Sequence, residues 1–284
     1  MKLTAHVILI AATQRLASAG IEESRLNAEL LLAHVWGIPQ LQMLVQLRRE
    51  MEVDALDRYE ELLERRARRE PLQHILGHVQ FLEHRIEVSP AALIPRPETE
   101  VLVQRTLELM PDATRGLTVA DFGTGTGCIA ISIAAARPLA QVHAIDVSRE
   151  ALALARRNAL RAGVADRIQF HEGDGLRALP ARLAGRLDVL VSNPPYIPAA
   201  DIPGLEPEVR EFDPLLALDG GPDGMDFFRA LSHEAPGWLK GGGWIALEFG
   251  DGQAEAVKGL FQSRAWAAPR IERDLTGRER VGLV

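Results

Sequence analysis

An α/β protein, with strands and helices alternating into a mostly parallel sheet behind a small helical bundle, is the fold that three observations predict. Apolar residues recur at helical spacing through the first 75 residues. From about residue 98 onward short apolar runs alternate with helical segments, the pattern of a parallel sheet covered on both faces. Between these regions lie two short alternating runs and three prolines, which mark a connector.

Ala28, Leu31, Leu32 and Val35 stand at i, i+3, i+4 and i+7, on one helix face. Leu56, Tyr59 and Leu63 repeat that spacing in a segment rich in Glu and Arg, and Gly20, Gly37-Ile38-Pro39 and Pro71 separate the helices. Lys2, the apolar Val7 to Ala12 and Ala17-Ser18-Ala19 loosely imitate a secretory signal. Thr13-Gln14-Arg15 interrupts the stretch, and Leu3, Val7 and Ile10 share a helix face, so it reads as helix. Val79-Gln80-Phe81 and Arg85-Ile86-Glu87-Val88 read as a hairpin, and Pro90, Pro95 and Pro97 stiffen the segment next to it. Strands over 117–122, 141–147, 168–171, 187–192 and 244–249, with two more near 270–275 and 280–284, make seven. Helices over 128–136, 149–162, 225–239 and 254–262 come between, the second capped by Ser148. The predicted organisation is a helical domain over 1–76, a hairpin linker over 77–95 and an α/β domain over 96–284.

With 47% hydrophobic and 25% charged residues among 284, the chain has the composition of a globular protein of one large or two smaller domains. A formal net charge of −7 weighs against a partner gripped by its phosphate backbone. A single cysteine, Cys128, allows no internal disulfide, which points to the reducing cytoplasm; it reads as a small buried residue. No apolar run reaches membrane-span length. His74 and His78, four apart, would share a helix face, but no third ligand accompanies them, so no metal is expected.

The chemistry concentrates in two loops. Gly123-Thr124-Gly125-Thr126-Gly127 follows the first strand of the α/β region and opens a helix, and in such a sheet this turn faces the crevice at the strand ends. It lacks the lysine ending of a phosphate loop and the glycine spacing of a dinucleotide fingerprint. Asp146 ends the next strand, suited to accept from both hydroxyls of a ribose, or else to cap a helix. Asp174 and Gly175 follow the third strand, facing an adenine amino group or forming an ordinary turn.

The second loop, Asn193-Pro194-Pro195-Tyr196, leaves the fourth strand. Its prolines have no N–H and fixed φ, so it offers carbonyl acceptors without competing donors, and the Asn193 side-chain oxygen adds another. Two acceptors hold both hydrogens of an –NH2 group and aim its lone pair at a methyl sulfonium. Tyr196 covers the flat group; read blandly, the segment is a proline-rich loop with a packed tyrosine.

These residues resemble class I, Rossmann-like methyltransferases acting on exocyclic amino or amide nitrogens. Ile94-Pro95-Arg96-Pro97-Glu98-Thr99-Glu100, Glu208-Val209-Arg210, Ala217 to Gly221 with Asp223-Gly224, and Asp274-Leu275 with Gly277 and Arg280-Val281 narrow the likeness. Together they are similar to the release-factor glutamine methyltransferases, the HemK/PrmC family, over essentially the whole chain. The resemblance implies transfer of a methyl group from S-adenosylmethionine, leaving S-adenosylhomocysteine. The acceptor would be the amide nitrogen of the glutamine in the Gly-Gly-Gln motif of class I peptide chain release factors. It further implies that Gly123 to Gly127, Asp146, Asp174, Gly175 and Asn193 hold the cofactor, that Asn193 to Tyr196 bind the glutamine amide, and that the helical domain recognises the factor. Gly175 stands where some members carry an aromatic residue that stacks on adenine, and Phe122 where an aliphatic one is usual.

The acidic stretch 197–224 reads either as a lid that docks a basic protein loop or as a solvated surface loop, and Arg96 and Glu98 either line the entrance or serve as an ion pair and helix cap. An amino-group methyltransferase for adenine or guanine in DNA or RNA is the alternative function; the acidic balance and the Ile94–Glu100 segment weigh against it. A binding domain without catalysis is a third reading, disfavoured by the intact acceptor loop.

Overall fold

The computed structural model describes residues 4–110, 112–274 and 276–284. Lys2, Leu3 and Leu275 lie outside them. The chain divides into two compact units, one comprising residues 1–77 and 206–212, the other residues 78–205 and 213–284.

The first unit contains α1 (Ala5–Ser18), α2 (Ser24–Trp36), α3 (Gln40–Leu44), α4 (Val53–Ala67) and α5 (Leu72–Leu76). Leu16, Leu31, Leu32, Met43, Tyr59 and Leu63 form its core. Each such leucine withdrawn from water contributes about 1.5–3 kcal/mol before entropy is counted. The polar end of the buried Tyr59 is matched, since its hydroxyl donates to the Ala28 carbonyl over 3.0 Å. His74 lies on α5, whereas His78 opens the next strand, so the two share no helix face.

The second unit begins with the hairpin β1 (His78–Phe81) and β2 (His84–Glu87), followed by α6 (Pro97–Glu108). The three prolines suggest only a stiff connector here. Pro97 instead starts a helix, because a first helical position needs no N–H, and Glu98 and Glu100 favour the positive end of its dipole. Then come β3 (Thr118–Phe122), α7 (Cys128–Ala136), β4 (Gln141–Asp146), α8 (Arg149–Arg161), β5 (Ile168–Glu172) and β6 (Leu187–Ser192). After these follow α9 (Pro207–Arg210), counted with the first unit, then α10 (Asp226–Glu234), β7 (Leu239–Glu248), α11 (Ala254–Leu260), β8 (Arg270–Arg273) and β9 (Glu279–Leu283). The helix expected to reach residue 239 stops at Glu234 because Pro236 cannot continue it. Ser148 caps α8 as expected, accepting from the Ala151 N–H.

The sheet has seven strands in the order β5-β4-β3-β6-β7-β9-β8, parallel from β5 through β7, with β9 antiparallel to both its neighbours. One face packs on α6, α7 and α8, the other on α10, α11 and the segment 176–183. The hairpin is tied to α8: Asn158 accepts from the Glu87 N–H and donates to the Glu87 carbonyl. Among the described residues no helix is long and apolar enough to cross a membrane.

His143 on β4 and His171 on β5 stack, with Nδ1 and Nε2 3.0 Å apart. His143 is 3% exposed, and burial, then His171, then Arg182 lower its imidazole to about 4. The unfolded chain therefore binds a proton between about pH 6.5 and 4 that the folded chain refuses. Stability present above that window is lost as pH falls through it, by on the order of 2–3 kcal/mol. Urea unfolding at the two ends of the window measures the loss, and His143→Gln, which cannot titrate, is expected to lose less.

Candidate active site

β3 and β6 are adjacent parallel strands, with Phe122 opposite Ser192, so the loops that leave them start side by side. Ser192 Oγ donates to the Phe122 carbonyl over 2.7 Å and ties the two exits together. β3 is followed in sequence by β4 on one side, while β6 lies on its other side, so the chain reverses direction here. That is where an α/β sheet opens a crevice at its carboxyl ends. A cavity of about 390 Å³ occupies it, lined by both loops and mostly apolar. The volume is in the range of small-molecule sites.

The glycine turn is held from three directions. The Thr124 N–H donates to the Ile145 carbonyl on β4 over 2.9 Å, and the Gly125 N–H donates to Asp146 Oδ2 over 2.8 Å. From beneath, Asp121 Oδ2 accepts from Thr124 Oγ1 over 2.6 Å and from the Ala130 N–H in the first turn of α7 over 3.2 Å. Asp121 has no exposed surface, and burial pushes its carboxyl up to about 7. Gly127 lets α7 approach α8, since a Cβ there would sit 3.0 Å from the Ala155 Cβ.

Asp146 already holds two backbone donors, the Gly125 N–H on Oδ2 and the Ser148 N–H on Oδ1. Each oxygen keeps a further lone-pair direction, and the residue lines the cavity. The two roles open to it are therefore not exclusive, because one carboxylate shapes the turn and remains an acceptor.

Gly123, Thr124, Gly125, Thr126, Asp146, Asp174, Gly175, Asn193 and Pro195 all line this cavity; Gly127, Pro194 and Tyr196 do not. Gly127 is the helix cap below it, Pro194 is buried, and the Tyr196 carbonyl accepts from Gln253 Nε2 over 2.8 Å. Burial raises the Tyr196 phenol to about 12, so it stays protonated. Asn193 Nδ2 donates to Thr99 Oγ1 on α6 over 3.1 Å. No donor among the described residues bonds the Pro194 carbonyl.

Phe227 escapes sequence reasoning, Phe122 stands out there only as a departure from an aliphatic residue, and Arg96 is found at the entrance and in an ion pair, the two roles read for it. Phe122 and Phe227, with ring centroids 6.1 Å apart, line the cavity together and supply the aromatic surface that Gly175 cannot. Phe227 carried no signal, being one apolar position on a helix. Arg96 lines the cavity and pairs with the buried Asp213 over 2.6 Å, which fastens the connector to the segment carrying Pro214, Leu216 and Ala217, also cavity-lining. Glu98 is not at the cavity. Several acids of the stretch 197–224 have cationic partners. Asp213 is spent on Arg96, Asp223 on Arg229, and Glu206 and Glu208 on Arg69 and Arg66 within the first unit.

Comparison with known proteins agrees with this geometry. Residues 8–77 match the family model described as PrmC N-terminal domain, and residues 98–202 match the methyltransferase small domain. The chain is 44% identical over 284 residues to a release factor glutamine methyltransferase of Moorella thermoacetica, covering 99% of this chain and 98% of that protein. It is 42% identical over 266 residues to the protein of the same name from Geobacter sulfurreducens, covering 94% of this chain and 91% of the relative. Among solved structures, the N-terminal domain of human METTL16 superposes with a TM-score of 0.51 at 15% identity, covering 70% of this chain and 75% of that one, a likeness of fold alone.

Proposed function

The chain belongs to the release factor glutamine methyltransferases, and we propose from that premise that it methylates the side-chain amide nitrogen, N5, of the glutamine in the Gly-Gly-Gln motif of class I peptide chain release factors. The observation that carries the reading is that the loop after β3 and the loop after β6 line one cavity.

The cavity's residues fit S-adenosylmethionine. The glycine turn allows close backbone approach, Asp146 keeps acceptor directions for a ribose, and Phe122 and Phe227 offer flat apolar walls. Gly123, Thr124, Gly125, Thr126, Asp146, Asp174, Gly175 and Asn193 are the residues we assign to it, with Gly127 supporting the turn from below as the helix cap. When bound, S-adenosylmethionine supplies an electrophilic methyl group on its sulfonium.

The protein's own contribution is to make an amide nitrogen act as a nucleophile. Resonance draws its lone pair into the carbonyl. Asn193 Oδ1 and the Pro194 carbonyl accept its two hydrogens, which favours the pyramidal nitrogen and steadies the positive charge that develops on it. Pro195 and Tyr196 stiffen the loop, so these dipoles need no reorganisation during the reaction. The apolar walls keep competing water away.

The helical residues 1–76 are assigned to recognition of the factor, 77–95 to the linker and 96–284 to catalysis. The buried free thiol of Cys128 and the net charge of −7 support a cytoplasmic enzyme whose partner is a protein, without direct nucleic-acid contact. Incubation with labelled S-adenosylmethionine and purified release factor, nucleic acid or neither tests the reading. Label is expected on the factor's glutamine; label in nucleic acid alone would overturn it.

Asp146→Asn is expected to weaken cofactor binding about 10- to 100-fold, because it removes the charge and turns an amide N–H2 against a backbone donor. Calorimetric titration measures it. An unchanged Kd would leave Asp146 a turn residue only.

A further inference from the structure

We propose that Glu248 is a positioning residue: together with Thr99 it draws the amino end of the Asn193 side chain inward, so that only the amide oxygen is presented to the substrate nitrogen. This rests on the proposed function and names a residue that reading does not use.

Glu248 closes β7, and the pairing of Ser192 with Leu247 brings it beside Asn193 at the end of β6. It is 1% exposed. Thr99, 3% exposed in the first turn of α6, and Asn193 lie close enough to its carboxylate to favour the ionised form, and Asn193 Nδ2 donates to Thr99 Oγ1 over 3.1 Å. One donor assignment fits the cluster: one Asn193 N–H goes to Thr99, the other faces Glu248, and the Thr99 hydroxyl is left free to turn its own hydrogen toward Glu248. A carboxylate only accepts, so the reversed amide would set oxygen against oxygen in a dry site. Ionised Glu248 therefore selects one of two amide orientations that are nearly identical in shape.

A purely structural role fits poorly. Among the described residues Glu248 Oε2 has no hydrogen-bond partner although it is buried, and a buried, under-satisfied carboxylate is worse for stability than a neutral residue of its size. The charged and titratable groups around it are Arg280 on β9, Glu98 on α6, Tyr196 on the acceptor loop and Cys128 on α7. Burial pushes its carboxyl up to about 7, with Thr99, Arg280 and Asn193 pulling the other way and Glu98 adding to the rise. Below that pH the carboxyl gains a hydrogen to donate, tolerates either amide orientation, and the selection fades.

Two readouts test this, one of which needs no substrate. In the free wild-type protein the Asn193 side-chain N–H2 resonances, assigned by their loss in Asn193→Ala, should titrate near neutral pH, and in Glu248→Gln they should not. In turnover, Glu248→Gln should lower kcat at about pH 8 by roughly 10- to 100-fold while KM for the factor and Kd for the cofactor stay within about threefold. The acid limb of the wild-type kcat profile should disappear with it. A flat Asn193 titration in the wild-type protein, or a Glu248→Gln enzyme with wild-type kcat and the same acid limb, overturns the assignment. Should Glu248→Gln not fold, Thr99→Ser and Thr99→Val decide instead: the serine is expected to keep the rate and the valine to lose it, and equal rates overturn the proposal. A wild-type protein that methylates no release factor sinks the proposed function, and the ligand-free titration then judges Glu248 by itself.

Discussion

Asn193→Ala is expected to lower kcat by about 10²- to 10³-fold, the usual cost of losing one preorganised dipole at a reacting centre, equivalent to about 3–4 kcal/mol. Cofactor affinity should change by less than about threefold. The asymmetry follows from what each side of the cavity holds. The residues assigned to the cofactor sit mainly after β3 and β4, where Asp146 and the Ile145 carbonyl fix the glycine turn without help from Asn193. Asn193 is anchored from the opposite side, by Thr99 on α6. Truncation removes that anchor together with the oxygen that meets the substrate, and leaves the supports of the glycine turn untouched. Single-turnover rates and equilibrium cofactor binding on the same preparation separate the effects. Equal losses in both would mean that Asn193 chiefly holds cofactor.

The parts of this molecule that are legible from the chain alone are those whose reason is local. The turn at Gly123 to Gly127 and the loop at Asn193 to Tyr196 carry their own backbone chemistry, and strand alternation alone implies that both face one end of a parallel sheet. The length of α6 is not legible, because Pro97 reads as a breaker until its position at a helix start is known. Glu248 looks like any charged residue ending a strand. Only the β6–β7 register reveals that it lies against Asn193. The His143–His171 stack likewise depends on cross-strand pairing. Asp213 resembles one acid among many in a surface loop, and its burial against Arg96 reverses that reading. Phe227 shows the same limit for the cavity wall, since an apolar helix position does not say which face the fold will open.

Gly224→Ala should cut kcat by about 10²-fold although residue 224 is absent from the cavity wall, because a shift of about 1 Å in a positioning loop costs that much. A Cβ at 224 would sit 2.2 Å from the Tyr196 carbonyl oxygen and 2.7 Å from Gln253 Nε2, the pair that hydrogen-bond each other. Neither atom is free to yield, since the carbonyl belongs to a proline-stiffened backbone and the amide also accepts from the Gly250 N–H. The loop must therefore move, taking the Asn193 and Pro194 acceptors with it, while the glycine turn across the cavity stays where β4 holds it. Left-handed backbone, φ +75° here, adds about 1–2 kcal/mol of strain for any residue with a Cβ. Gly163→Ala isolates that second contribution: its φ is +69° with nothing within 4 Å of the new carbon. Both variants should lose comparable stability to strain, with Gly224→Ala losing more, and Gly163→Ala should turn over like wild type. If the two match in kcat, the support beneath the acceptor loop is not what sets its geometry.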